Sequence, residues 1–310
     1  MAITAAMVKE LRELTGAGMM DCKKALNETD GDKDKAVELL REKGLAAMAK
    51  KANRIAAEGL VATLISDDHK VGAIVEVNSE TDFVAKNEQF QTYVARVAAQ
   101  ALASDAKTLE EFMAEPWIDE KELTVEQALS QKIAVIGEKL SIRRFDKITS
   151  EDGIVTTYIH AGGKIGVLVE LATDAVNDAV LECGKNVAMQ TAALKPLYTN
   201  ESEVDPAYIA REKEILEAQA KNEKPDANDK IINGMVMGRI KKEMKEICLV
   251  DQVYVKAEDG KQSVGKYVEE TAKAAGAKLA VKGFVRYETG EGMEKKEEDF
   301  AAEVAKQIGK

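Results

Sequence analysis

VGAIVEV at Val71–Val77 and IGVLVEL at Ile165–Leu171 are one phrase written twice. Each carries glycine second and glutamate sixth among Val, Ile, Leu and Ala, and short aliphatic runs bounded by turn signals read as strands. A turn signal at Ser66–Asp68 precedes the first copy. Each copy is followed by a polar bend and a long Ala-rich helix, which after the first spans Glu88–Ala101. The shared Gly72/Gly166 and Glu76/Glu170 favour two related α+β units over coincidence. The expected fold class is therefore α+β.

The copies differ in what comes next. The first inserts Asn78–Lys86 (NSETDFVAK), whereas the second has only Ala172–Asn177 (ATDAVN) before its helix. An elaborated loop on a repeated scaffold is a natural place for function. Its sharpest feature is Thr81, Asp82, Phe83 and Val84, which set a large aromatic beside a carboxylate between Asn78 and Asn87; the chain has only 6 Phe. Two readings are open. Phe83 and Val84 start the next helix and tuck under the sheet, as apolar side chains usually do, or Phe83 projects as a wedge into a groove on a partner.

On the N-terminal side of the repeat, the spacing predicts a compact bundle of three short helices. Val8, Leu11 and Thr15 share a face that Thr4 can cap and that Gly16 and Gly18 end. Met19 or Met20 through Leu26 form the second helix, Asn27–Asp34 (NETDGDKD) turns the chain, and Ala36–Leu40 belongs to a third that Gly44 can terminate. Ala46–Ala57, rich in Ala and Lys, reads as a helical tether and not as core.

Beyond the second copy, Asp205–Ile247 becomes charged and helical and is broken by Lys224–Asn228 (KPDAN), the pattern of two antiparallel helices joined by a short turn. Ile232, Met235, Val236, Ile240, Met244 and Ile247 give the second arm a good stripe. Tyr208, Ile215 and Leu216 give the first a thinner one, so a protruding hairpin with a narrow seam is expected. Strand signals resume at Gln252–Val255 and Ala280–Tyr287, and Phe300–Ile308 reads as a short amphipathic helix.

Composition limits the function classes. At 310 residues, two or more folding units are the starting expectation, and 45% apolar with 32% charged residues suits a packed core under a charged surface. The net charge of −11 argues against a general nucleic-acid binder, which needs a basic face. Residues 1–55 are slightly basic, and the remainder carries the acidic excess. Cys22, Cys183 and Cys248 are scattered, which suggests neither a disulfide framework nor a zinc site and points to reduced thiols in the cytoplasm. The N-terminal stretch is too charged for a signal peptide, and no run is long and apolar enough to span a membrane.

Other motifs fail on inspection. Gly162–Gly163–Lys164 lacks phosphate-loop spacing and precedes a strand, so no helix N-terminus is on hand for a phosphate. Asp30–Asp34 (DGDKD) has its glycine in the wrong place for a calcium loop. His69 and His160 are the only histidines, and no nucleophile phrase such as GxSxG accompanies them. No cofactor is called for.

Several phrases together resemble one family. GAGMMDCKKAL (Gly16–Leu26), EVNSETDFVAKN (Glu76–Asn87), IGEKLSIRR (Ile136–Arg144), HAGGKIGVLVEL (His160–Leu171) and GEGMEKKEEDFAAEVAKQI (Gly290–Ile308) are similar in order and spacing to elongation factor Ts. They run through almost the whole chain, and the set is far more specific than any one member. The resemblance implies a UBA-like three-helix module with its tether at 1–55, and a first α+β subdomain at 56–145. It further implies a second subdomain at 146–286 carrying a coiled-coil hairpin at about 200–248, and a helical module at 287–310. It also implies a cytoplasmic guanine-nucleotide exchange factor for elongation factor Tu in translation, not a covalent enzyme. No direct nucleic-acid or membrane contact goes with it.

By the same resemblance, Thr81, Asp82, Phe83 and Val84 form a loop that dislocates the partner's magnesium, with Phe83 sliding between two helices beside that site. Arg12, Met19, Met20 and Lys51 would touch the GTPase domain, Ile136 and Gly137 would lie beside the loop, and His160 would face a more distant domain. At least one of Met19 and Met20 must be exposed, since adjacent helix positions do not easily both point inward. The segment entering the hairpin, Lys195–Asp205 (KPLYTNESEVD), departs most from the family. Whether a higher-order complex forms with the partner is open. Two rival readings remain: an adaptor that binds a protein without changing its nucleotide, and an enzyme acting on a small nucleotide, for which the phosphate and nucleophile motifs are missing.

Overall fold

The fold is described from a computed structural model for residues 3–294. Three helices come first: α1 (Ala5–Thr15), α2 (Met19–Glu28) and α3 (Lys33–Lys51). Val8, Leu11, Cys22, Ala25, Leu26 and Ala36 close a small core between them. Thr4 caps α1 and Asp32 caps α3 through their side-chain oxygens, while Gly16 ends α1 in the left-handed conformation at φ 67°.

Two three-stranded antiparallel sheets follow, in the orders β1-β2-β3 and β4-β5-β6. The first holds β1 (Glu58–Ile65), β2 (Val71–Ser79) and β3 (Leu140–Thr149); the second holds β4 (Gly153–His160), β5 (Ile165–Thr173) and β6 (Leu279–Glu288). Between β2 and β3 run α4 (Asp82–Ala85), α5 (Glu88–Ala103), α6 (Leu109–Ala114) and α7 (Val125–Ile136). Between β5 and β6 run α8 (Asp178–Leu194), α9 (Pro206–Glu223), α10 (Asp229–Ile247) and α11 (Val264–Ala275).

The twice-written phrase is the centre strand of each sheet, covered on both faces, which explains its almost unbroken apolar run. Ala73, Val75 and Val77 face a core shared with α5, α6 and α7, and Val167, Val169 and Leu171 face one shared with α8 and α11. The opposite faces of the two sheets meet around Val61, Ile74, Val155, Leu168 and Tyr287. This junction is pseudo-symmetric. A Cβ on Gly72 would stand 2.5 Å from Val155 Cγ1, and one on Gly166 would stand 2.4 Å from Val61 Cγ1. Thr157 donates its hydroxyl hydrogen to Thr63 Oγ1 at 2.7 Å, joining the two positions that correspond in the repeat. Each sheet carries a bulge at the same place, after Glu76 and after Glu170. The shared glycines are therefore openings that admit the other sheet's valine.

α9 and α10 form an antiparallel pair. Tyr208 near the start of one donates to Glu243 near the end of the other, and Arg239 pairs with Glu223 at 2.6 Å beside the turn. Ile232, Val236, Ile240 and Met244 fill the seam, joined by Ala220 and partly by Leu216 and Tyr208. Ile215 is exposed instead of joining the stripe; Leu216 takes the inward place beside it.

Three further expectations are corrected. Gly44 does not end the third helix, which runs on to Lys51; the glycine is buried against α7, where its missing side chain is needed for close approach. The segment after Gly44 is consequently not a free tether, since Met48 packs on the first core. Gln252–Val255 is not a strand. Gln190 of α8 donates to the Val253 carbonyl at 3.1 Å and accepts from the Val255 amide at 2.8 Å, so a side chain takes one edge of the segment, and its strand pairing is limited to a single antiparallel bridge between Val253 and Ser263. Phe300–Ile308 lies outside the described residues, as does most of 287–310.

Candidate functional site

The loop from Ser79 to Glu88 is short of regular structure but not of hydrogen bonds. Thr81 caps α4 by accepting from the Val84 amide at 3.3 Å, and Asn87 caps α5 by accepting from the Gln89 amide at 2.8 Å. Between these caps α4 makes one turn, which turns its apolar side chains in different directions. Ala85 is buried and Val84 packs on the first core, while Phe83 stands 80% exposed. The inward option for Phe83 is thereby excluded, while Val84 does tuck in. Asp82 accepts from Lys86 at 2.6 Å; that hydrogen bond, with Lys164 adding to it, holds the Asp82 carboxyl below the usual carboxylate range.

The loop is held from beneath by a residue that sequence reading passed over. α7 ends at Ile136, and Gly137 takes the left-handed conformation at φ 86° that lets the chain turn back. Glu138 then points at the loop, where one carboxylate oxygen accepts from the amides of Glu80 and Thr81 and the other accepts from the Thr81 hydroxyl. A reciprocal bond runs the other way, from the Lys139 amide to Glu80. Lys139 also donates through Nζ to the carbonyls of Ala52 at 2.6 Å and Arg54 at 2.8 Å, and Arg54 pairs with Glu80 at 3.2 Å. Lys51 is half-buried in the last turn of α3, one residue before the Ala52 carbonyl that Lys139 holds, and Ile136 and Gly137 lead directly into Glu138.

The remaining candidates lie around this centre. Arg12, Met19 and Met20 are exposed on the three-helix unit, the two methionines by 56% and 61%, so both project and not only one. His160 is exposed at the end of β4, its Nδ1 3.1 Å from the Tyr158 hydroxyl. The tight turn after it, with Gly163 at φ 96°, brings Lys164 onto Glu58, the ladder partner of Ser79 at the base of the loop. Among the described residues, no group of three or more His, Cys, Asp or Glu is arranged to hold a metal ion, and no helix is long and apolar enough to cross a membrane.

Comparison with known proteins gives this arrangement a family. The model of the family described as Elongation factor TS matches residues 80–291. An elongation factor Ts from Clostridium perfringens (strain SM101 / Type A) is 55% identical over 309 residues, 99% of this chain and 100% of that protein. The chain belongs to the elongation factor Ts family. An elongation factor Ts from Clostridium botulinum (strain Eklund 17B / Type B) is also 55% identical over 309 residues. One from Clostridioides difficile (strain 630) is 54% identical over 306 residues, 99% of each chain. The matched span of the elongation factor Ts family model opens at Glu80, so it takes in the Thr81–Val84 loop, Ile136–Glu138 and His160; the three-helix unit is covered by the full-length relatives.

Glu138, Glu80, Lys139 and Arg54 are the members of the site that sequence reading missed. The phrase IGEKL carried the signal, since a carboxylate directly after a left-handed glycine cap is placed to reach a neighbouring loop, but only the fold shows which loop that is.

Proposed function

We propose that this chain is a guanine-nucleotide exchange factor that binds elongation factor Tu carrying GDP, disturbs its magnesium site and promotes GDP release during translation elongation in the cytoplasm. The observation that carries the reading is Phe83: a benzyl side chain 80% exposed at the tip of a loop whose base is bonded to Glu138. An exposed aromatic on a rigid mount is suited to entering a groove on a partner, because little ordering entropy is lost when it binds. Phe83 parts packed elements beside the partner's magnesium, and the metal's lost coordination removes charge compensation from the GDP phosphates. Thr81 and Val84 anchor the tip, and Asp82 accompanies the ring. The exchange is non-covalent and reciprocal: GDP weakens the factor's hold on its partner by the same factor as the reverse.

In this reading residues 1–55 are a UBA-like module, 56–145 and 146–286 are the two core subdomains, and α9 and α10 form a coiled-coil hairpin at about 200–248. Arg12, Met19, Met20 and Lys51 contact the partner's GTPase domain, with Ile136 and Gly137 next to the loop and His160 on a more distant domain. Release of fluorescent GDP from purified elongation factor Tu tests the proposal. A chain that binds the partner and leaves the GDP off-rate unchanged is an adaptor and defeats it.

A further inference from the structure

α3 runs without interruption from the three-helix unit onto the core, and Gly44 lies within that helix. A glycine in a helix interior costs about 1 kcal/mol relative to alanine, so its presence asks for a reason. The reason is proximity. A Cβ at Gly44 would stand 3.3 Å from the Ser130 carbonyl oxygen on α7 and 3.5 Å from its hydroxyl oxygen. The seam continues to either side: Arg41 donates to Glu120 at 2.7 Å, and Met48 packs on the first core. A further point of contact lies at the end of α1, where a Cβ on Gly16 would sit 3.8 Å from Val135, also on α7. Separated contacts of this kind hold a unit in orientation as well as in place.

The orientation matters because of what it sets side by side. Thr15 and Gly16 of the α1–α2 turn, Glu88 and Thr92 of α5, and Gln131 and Lys132 of α7 line one cleft of about 390 Å³. Met19 and Met20 open α2 just after Gly16 in the chain, and Phe83 precedes Glu88 on the loop that leads into α5; none of the three lines the cleft itself. All three are more than half exposed.

We propose that Gly44 is a positioning residue: the α3–α7 seam holds the Met19–Met20 edge at a set span from Phe83, so that one partner surface meets both at once. This rests on the exchange-factor reading. Two contact features joined rigidly make the second contact intramolecular, and the gain is lost when the geometry no longer allows both to engage.

The test uses the full-length chain with Gly44→Leu and Gly44→Ala. Leucine has no room under the Ser130 carbonyl and lifts α3 from α7, whereas alanine needs a shift of only a few tenths of an ångström. Spin labels at Lys35→Cys and Glu110→Cys report the span between unit and core, the native cysteines being buried. In Gly44→Leu the label distance changes and the concentration giving half-maximal GDP release rises about tenfold or more, while the maximal release rate stays within about twofold. Gly44→Ala returns both to near wild type, and adding Met20→Ala to Gly44→Leu costs nothing further. Should Gly44→Leu not fold, Arg41→Glu, which faces Glu120 with a like charge, replaces it. An unchanged label distance, a changed distance with unchanged half-saturation, or a loss confined to the maximal rate overturns the inference. If the wild-type chain itself fails to accelerate GDP release, the exchange-factor reading fails and the paired-contact role falls with it, while the label distances still decide the seam.

Discussion

Glu138 carries the Thr81 end of the exposed loop: one carboxylate oxygen accepts from the Thr81 and Glu80 amides, each at 3.1 Å, and the other accepts from the Thr81 hydroxyl at 2.7 Å. Hydrogen bonds to a charged acceptor contribute about 1.5–3 kcal/mol each at best, and less where water reaches them. Glu138→Ala therefore leaves the fold in place and frees the loop. Amide hydrogen exchange at Thr81 should accelerate about tenfold or more, and stimulated GDP release should fall by about tenfold. Glu138→Gln should be intermediate, because one of its two terminal atoms now donates towards donors. Slow exchange retained at Thr81 in Glu138→Ala would show that the loop holds its shape unaided.

Phe83 and Val84 are neighbours with opposite environments, which separates binding from stability. Phe83→Ala removes an exposed ring, so the unfolding free energy should hold within about 0.5 kcal/mol of wild type. The same change should cost about 2 kcal/mol of coupling to the partner, roughly thirtyfold in stimulated GDP release. Val84→Ala, which removes methyl groups packed on the first core, should lose about 1 kcal/mol of stability. A Phe83→Ala chain that melts early while releasing GDP normally would reverse the assignment.

Much of this architecture was legible in the sequence because it rests on local signals. The repeated strand phrase, the three helices with the Thr4 cap on the first and the α10 stripe are all periodicities or caps. What escaped reading depends on partners far along the chain. Gly44 looks like a helix stop until Ser130 is seen across from it, and Gln252–Val255 looks like a strand until Gln190 occupies one edge of it. Phe83 stands out in the composition, but the residues alone leave open whether it tucks in or projects, and the fold settles that it projects. Its mount was not legible either, because Glu138 is an ordinary glutamate until the fold brings it to Thr81.

Glu76 makes acid stability a test of the second long-range tie. It is fully buried beside Arg143 and Arg144 and accepts from the Gly290 amide at 2.7 Å, so it joins β2 to the exit of β6. Burial pushes its carboxyl up, but the hydrogen bonds from Gly290, Asn78 and Arg144 outweigh burial and hold it below its ordinary value of 4.5. A lowered folded pKa means that the contribution is fully present above the unfolded value and is lost as pH falls through the folded one. Wild-type stability should therefore decline below about pH 4.5 with a component that Glu76→Gln lacks. At pH 7 Glu76→Gln should be less stable by about 2 kcal/mol, under the 3–5 of a fully buried pair because both guanidinium groups keep some water. Parallel acid unfolding curves for the two chains would remove Glu76 from this role.

Gly72 and Gly166 face the sheet junction from opposite sides, and each admits a valine of the other sheet, Val155 and Val61. Both lie in strands with the carbon of a would-be side chain inside 3 Å of a packed methyl group, so replacement by alanine must push the sheets apart. Overpacking of this kind costs about 1–3 kcal/mol. Gly72→Ala and Gly166→Ala should each show a loss in that range by denaturant unfolding, where glycine in an ordinary strand would gain from the same change. The two positions share one junction, so the second substitution finds sheets already separated by the first. The double variant should accordingly lose less than the sum, with a coupling above the ~0.5 kcal/mol scatter of independent sites. Strict additivity would mean that each sheet yields locally and that the two halves of the repeat do not move as bodies.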